Sequence, residues 1–279
     1  MPRVRWCRAR TVDGMTQTTD TVRAAADRLQ RAAADLAPCA PVRDLIGADD
    51  VEAAYAVQAL LTQERLVAGA TIVGRKIGLT SPAVQQQLGV DRPDFGVLFD
   101  DMQDTARVPT ARLLQPKVEA EVAFVLQADL AAGDLALEQV RAAVDYGVAA
   151  LEIVDSRIAG WDITFGDTVA DNGSSGRFVL GEKHCGLDEF EPVEVAMEMT
   201  LDGEVVSSGT GAACLGDPLV ALQWLARTAR DMGDPLRAGQ VVLSGALGPM
   251  VAVQPGSSVT ARIEGLGEVT ANFTPKETK

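Results

Sequence analysis

Apolar positions along this chain keep two different periods, and the change falls near residue 105. From Thr19 to Leu36 they recur at helical spacing (Val22, Ala25, Ala26, Leu29, Ala32, Ala33, Leu36), which predicts a helix ended by Pro38 and Pro41. A cap at Asp49 or Asp50 opens a second predicted helix, through Val51, Ala54, Tyr55, Gln58, Leu61 and Leu66 to Gly69. The β-branched run Thr71–Leu79 follows, then a helix start at Ser81-Pro82. Beyond residue 105 the pattern reads as strands: Val118–Leu126, Val148–Val154, Arg177–Leu180, Val193–Leu201, Glu204–Ser208, Val241–Ser244, Ser258–Ile263 and Glu268–Phe273. Two predicted helices interrupt them, Ala136–Val144 and Pro218–Met232, the second with Gly233 as its C-cap. Asp202-Gly203 between alternating runs signals a hairpin. Many short strands, several joined as hairpins, favour a closed or sandwiched β-rich core over a doubly wound sheet. The expected class is α+β, with an Arg-rich disordered tail over 1–15, an α-rich N-terminal region over 16–105 and a β-rich catalytic domain over 106–279.

Within Val118–Leu126 the pattern carries an anomaly. Glu119 and Glu121 stand two apart in an apolar strand, so their carboxylates share one face. Side by side in a low-dielectric wall they repel and are costly to desolvate. Either the strand lies at an edge with one solvated face, or a hard divalent cation, Mg²⁺ or Mn²⁺, lies between them. A third carboxylate, Glu152, interrupts the nearly continuous apolar run Val148–Val154. The three glutamates together would make an all-oxygen site with open positions for water and substrate. Asp155 is aimed at the opposite face by strand alternation and is expected to pair with Arg157.

Charge narrows the field of ligands. A net charge of −14 argues against nucleic acid or an anionic membrane as partner, and no apolar run reaches membrane-spanning length. Such a protein needs a local positive centre to hold an anionic substrate, which a bound metal would supply. Arg3, Arg5, Arg8 and Arg10 precede no apolar stretch, so Met1–Met15 does not read as a signal peptide; a start at Met15 is a second reading. Cys7, Cys39, Cys185 and Cys214 lack metal-ligand spacing and read as free thiols of a reducing cytoplasm. His184 is the sole histidine, placed by its turn-forming neighbours in a surface loop, which leaves no multi-histidine zinc site or Ser-His-Asp triad.

Three further positions are ambiguous from the residues alone. Lys76, between Gly74 and Gly78, is either a snorkelling strand lysine or a proton donor beside an anionic or carbonyl group. Asp94, after Pro93, is either a turn former or a site carboxylate. The loop Asp171–Gly176 is either a plain turn or a cradle of backbone N–H groups and small hydroxyls for a carboxylate.

Seven segments, in order and in register, resemble one family. They are Gly74-Arg75-Lys76-Ile77-Gly78-Leu79-Thr80, Gln85–Val90, Pro93-Asp94-Phe95-Gly96, Val118-Glu119-Ala120-Glu121, Leu151–Arg157, Asp167–Asn172 and Gly245–Met250. The family is the 2-keto-4-pentenoate (2-hydroxypenta-2,4-dienoate) hydratases of the fumarylacetoacetate hydrolase superfamily, and the resemblance runs from about residue 20 to the C-terminus. It implies a small helical N-terminal region on a β-rich fold, with Mg²⁺ or Mn²⁺ on Glu119, Glu121 and Glu152. The implied activity is addition of water to 2-hydroxypenta-2,4-dienoate, giving 4-hydroxy-2-oxopentanoate in meta-cleavage degradation of aromatic compounds. On that reading Lys76 moves protons and stabilises the C2 oxyanion, Asp94 positions or deprotonates water, and Ser174 binds the substrate carboxylate or assists Asp94. The implied assembly is a symmetric homo-oligomer, with a downstream aldolase or a decarboxylase of the same pathway as candidate partners. Two other readings follow from the same resemblance: a 4-oxalocrotonate-type decarboxylase, which Asp94 weighs against, and a non-catalytic partner-stabilising subunit, which would have no need to bury so much charge.

Overall fold

The computed structural model describes residues 12–81, 85 and 92–275, with side chains from residue 19 onward. Helix α1 covers Val12–Asp35, the short α2 Arg43–Ile46 and α3 Val51–Val67. The apolar stripe of α1 is its buried side: Val22, Ala25, Ala26 and Leu29 pack against Ala53, Ala54 and Val57 of α3. Asp50 caps α3, its carboxylate accepting from Ala53 N at 3.0 Å. Val12–Met15, expected as part of the tail, already belong to α1; the polar run Thr16–Asp20 separates them from Val22, so no apolar periodicity reveals the helix there. Residues 1–11, 82–84 and 86–91 lie outside the described residues, and with them most of the Ser81-Pro82 helix start and all of the Gln85–Val90 stretch but Gln85.

Two sheets form the rest. The larger contains β1 (Ile72–Gly78), β2 (Asp94–Phe99), β3 (Gln103–Asp104), β5 (Lys117–Leu126), β6 (Val144–Val154), β7 (Ser175–Leu180), β10 (Val241–Ala246) and β11 (Val251–Ala252). Its order is β2-β1-β10-β5-β6-β7-β3, with β11 also on β5. The second sheet runs β4 (Arg107–Val108), β13 (Gly267–Phe273), β12 (Ser258–Ile263), β8 (Ala196–Leu201) and β9 (Glu204–Thr210). Asp202-Gly203 turns β8 into β9, both residues with positive φ, as a tight hairpin requires. Helix α4 is Leu137–Ala142, α5 Phe165–Ala170 and α6 Pro218–Asp231. Among the described residues no helix is long and apolar enough to cross a membrane.

The main core lies where the two sheets and α6 meet, with Val122, Phe124, Leu151, Met199, Leu222, Leu225 and Val259 all buried. The chain enters the large sheet at Ile72, ahead of the division drawn at residue 105, because β1 pairs in parallel with β10. Several element boundaries differ from expectation. The helix expected over Ala136–Val144 stops at Ala142, and β6 begins at Val144. Strand β8 begins at Ala196, three residues later than its apolar run.

The large sheet curls until β2 meets the segment that leads into β7. Asn172 closes this seam: its side chain accepts from Val97 N at 2.7 Å and donates to Val97 O at 2.9 Å. A Cβ on Gly96 would stand 2.3 Å from Asn172 O, so the close approach needs glycine there.

Candidate active site

Strand alternation builds the site. On β5, Val118, Ala120, Val122 and Phe124 enter the main core, so Glu119 and Glu121 face the other way. On antiparallel β6, Ala149, Leu151 and Ile153 enter the same core, so Glu152 faces with the other two glutamates. Register sets Glu152 directly opposite Glu119. The three residues each offer a carboxylate oxygen, and these oxygens lie within 4.8 Å of one another. Glu121 and Glu152 are buried, whereas Glu119 is partly open to the cleft. The solvated-edge reading is therefore excluded: β5 is central, between β10 and β6.

Electrostatics expose what this arrangement lacks. Burial and then repulsion from Glu152 push the Glu119 carboxyl up to about 7, and the same two causes hold Glu121 well above the usual carboxylate range. Burial also raises Glu152, against the pull of Lys76. Glu121 Oε2 accepts from Gly245 N at 2.7 Å. Among the described residues Glu121 Oε1 and Glu152 Oε2 make no hydrogen bond, and Glu152 Oε1 has only the Lys76 ammonium beside it at 3.3 Å. Carboxylate oxygens converging from three glutamates, with those of Glu121 and Glu152 left short of hydrogen bonds among the described residues, fit a hard divalent cation, which would satisfy them and lift their repulsion.

Lys76, on β1, reaches Glu152 Oε1 at 3.3 Å and is itself 3 % exposed. Burial opposes its charge, but the carboxylates of Glu152, Asp94, Glu119 and Glu121 outweigh burial and hold the ammonium protonated beyond its ordinary range. The reading of a snorkelling lysine does not hold, because snorkelling requires a solvated head. Asp94 opens β2, is 1 % exposed and pairs in register with Gly78. Its Oδ1 has no hydrogen-bond partner among the described residues, while Oδ2 accepts from Thr168 at 3.4 Å. Burial raises the Asp94 carboxyl, opposed by Lys76 and Thr168. A Cβ on Gly78 would stand 2.1 Å from Asp94 Oδ1 and 3.2 Å from Lys76 Nζ, so the missing side chain at Gly78 makes room for both.

The Asp171–Gly176 loop is no plain turn. Asn172, Gly173 and Ser174 take φ of 57°, 61° and 53°, three successive residues in the left-handed region. The strain is held by the Asn172 seam, by Ser175 Oγ donating to Asn172 O at 2.8 Å, and by Arg157, which pairs with the buried Asp171 and donates to Ser175 O. It turns Ser174 into the cleft, buried, with a hydroxyl that has no partner among the described residues. Arg157 thus takes Asp171, and not Asp155, as its ion-pair partner. Asp155 instead accepts the backbone N–H groups of Leu114 and Gln115, a satisfaction by main chain that residue spacing cannot reveal.

One cleft of about 180 Å³ gathers Lys76, Asp94, Glu119 and Ser174 with Thr80, Thr168, Leu79, Trp161 and Met250. Four of the six expected site residues line it directly; Glu121 and Glu152 stand behind, in contact with Glu119. The residues missed by sequence reading are Lys117, Trp161, Thr80 and Thr168. For Lys117 the signal was present, since positions 117, 119 and 121 share a strand face. Burial lowers the Lys117 ammonium, with Glu119 opposing. His184 is exposed, its ring stacked on Tyr146 at 3.9 Å between centroids, as the surface-loop reading expects.

Comparison with known proteins places the chain in a family. The fumarylacetoacetate (FAA) hydrolase C-terminal family model matches residues 71–274. The chain is 53% identical over 251 residues to a 2-keto-4-pentenoate hydratase of Paraburkholderia xenovorans, covering 89% of this chain and 93% of that protein. It is 52% identical over 257 residues to one of Burkholderia vietnamiensis, covering 91% and 98%. A solved structure of 4-oxalocrotonate decarboxylase from Pseudomonas putida G7, complexed with magnesium and adipate, superposes with a TM-score of 0.88 at 33% identity, over 96% of this chain and 100% of that one. The chain belongs to the fumarylacetoacetate hydrolase superfamily, in the family of the 2-keto-4-pentenoate hydratases.

Proposed function

We propose that this protein is a metal-dependent hydro-lyase that converts 2-hydroxypenta-2,4-dienoate and water to 4-hydroxy-2-oxopentanoate, a step in meta-cleavage degradation of aromatic compounds. The observation that carries the reading is one cleft where Glu119, backed by Glu121 and Glu152 with their orphaned oxygens, stands beside a charged lysine and a buried aspartate. Relatives of 52–53% identity named as hydratases support it over decarboxylation, which is the activity named for a neighbour of 33% identity.

Glu119, Glu121 and Glu152 would hold Mg²⁺ or Mn²⁺, which supplies Lewis-acid withdrawal of electrons from a 2-oxo acid when bound. Conversion of the dienol to a 2-oxo-3-enoate moves a proton from the C2 hydroxyl to C5, and hydration then adds hydroxyl to C4 and hydrogen to C3. Lys76, held protonated, donates to the C2 oxygen and carries protons to and from the carbon chain. Asp94 Oδ1, without a hydrogen-bond partner among the described residues, orients the attacking water and takes its proton. The Ser174 hydroxyl donates to the bound acid or supports Asp94.

The test is product identification. Incubated separately with 2-hydroxypenta-2,4-dienoate and 4-oxalocrotonate in Mg²⁺, the protein is expected to form 4-hydroxy-2-oxopentanoate from the first and to release no CO₂ from the second. Rapid CO₂ release with no hydration would replace the hydratase reading with the decarboxylase.

A further inference from the structure

Among the described residues two cations line the cleft, Lys76 and Lys117, and they differ in what neutralises them. Lys76 faces Glu152 and Asp94. Lys117 has no carboxylate within ion-pair distance and no hydrogen bond among the described residues; its Nζ lies 4.2 Å from the centroid of the Trp161 ring. It precedes Glu119 by two on the same strand face, about 7 Å along β5. A half-buried ammonium stacked on indole and left without a counter-ion is poised for an anion from outside the protein.

The indole beneath it is fixed with care. Trp161 takes φ of 58°, unfavourable for a bulky residue. Its Nε1 donates to Gln115 O at 3.1 Å, and the preceding Gly160 N donates to Gln115 Oε1 at 2.7 Å. The Gln115 amide in turn donates to Ser156 O at 3.0 Å and Ile158 O at 2.8 Å. This network locks the ring at the cleft wall.

We infer that Lys117 receives the carboxylate of the anionic substrate, and that Trp161 is a positioning residue that holds the ammonium over the cleft. The inference rests on the proposed reading that the ligand is a short 2-oxo acid. It adds a positive group, beside a bound metal and Lys76, to a cleft walled by Asp94 and Glu119 in a chain of net charge −14.

The test uses 2-oxopentanoate, a saturated analogue that cannot be hydrated, titrated calorimetrically into the Mg²⁺-loaded protein. Lys117→Met is expected to raise its Kd about 10- to 100-fold, the range for losing a charge-assisted hydrogen bond, and to raise KM for the dienoate more than it lowers kcat. Lys117→Arg is expected to stay within a fewfold of wild type. Trp161→Leu should weaken binding partly and add little to Lys117→Met, while Trp161→Phe, which keeps a ring, restores most of the affinity. Should Lys117→Met misfold on thermal melting, Lys117→Gln takes its place. An unchanged Kd in the lysine variants of a wild type that turns over the dienoate would overturn the assignment of Lys117 alone. A wild type that neither binds 2-oxopentanoate nor turns over the dienoate would overturn the functional reading and this inference together.

Discussion

Asp94→Asn is expected to lower kcat by about 10²- to 10⁴-fold, the usual span for a general acid–base group, while Mg²⁺ affinity stays within a fewfold. The substitution keeps shape and volume at a site with no room for change, since Asp94 is buried and a Cβ at Gly78 would already collide with it. It removes the oxygen that can accept a proton, and it removes one of the negative charges that keep Lys76 protonated. The three glutamates are untouched. Loss of Mg²⁺ affinity in step with kcat would instead assign Asp94 a structural role.

Glu152→Gln is expected to abolish both turnover and stabilisation by metal. In the wild type, Mg²⁺ at a hundredfold excess over its Kd should stabilise the fold by about 2.7 kcal/mol, a rise in Tm of roughly 5–10 °C for a chain of this size. Glutamine fills the same volume and relieves carboxylate repulsion, so the metal-free variant is expected to melt near the metal-free wild type. The Mg²⁺-dependent rise should disappear, because one of three oxygen ligands is gone and its partner oxygens remain orphaned. A variant that melts with the full Mg²⁺ shift would show that the ion binds elsewhere. Differential scanning calorimetry with and without Mg²⁺ decides between these outcomes.

The parts of the fold legible in the residues are those where periodicity and burial agree. The stripe of α1, the Asp50 cap of α3, the Asp202-Gly203 hairpin and the alternation of β5 follow from local rules. Strand β2 did not, because all six of its residues are buried, leaving no alternation, and Pro93 and Gly96 read as turn signals. Helix α5 is likewise buried at every position, and its Thr164–Asp167 capping box is spelled with Asp in place of the usual Glu or Gln. The long-range partners also escaped: Asp167 ties α5 to Arg43, and Asp155 ties β6 to Leu114 and Gln115.

For the site, the decisive signal was cost. Three glutamates in apolar strands are so unfavourable without a partner that the residues themselves point to their convergence. Lys76 and Asp94 could not be distinguished from a surface lysine and a turn residue, since their meaning depends on β1 pairing with β2 and placing Gly78 opposite Asp94. Lys117 and Trp161 lie 44 positions apart and meet where the Gln115 network fixes the indole.

The central claim is that hydration of the dienoate depends on a divalent cation held by Glu119, Glu121 and Glu152. Its most direct test is turnover of 2-hydroxypenta-2,4-dienoate by protein stripped of metal with chelator, followed by stepwise return of Mg²⁺ or Mn²⁺. The account predicts negligible 4-hydroxy-2-oxopentanoate from the stripped protein and full recovery on saturation with one ion per chain. Undiminished turnover with metal verified absent would contradict it.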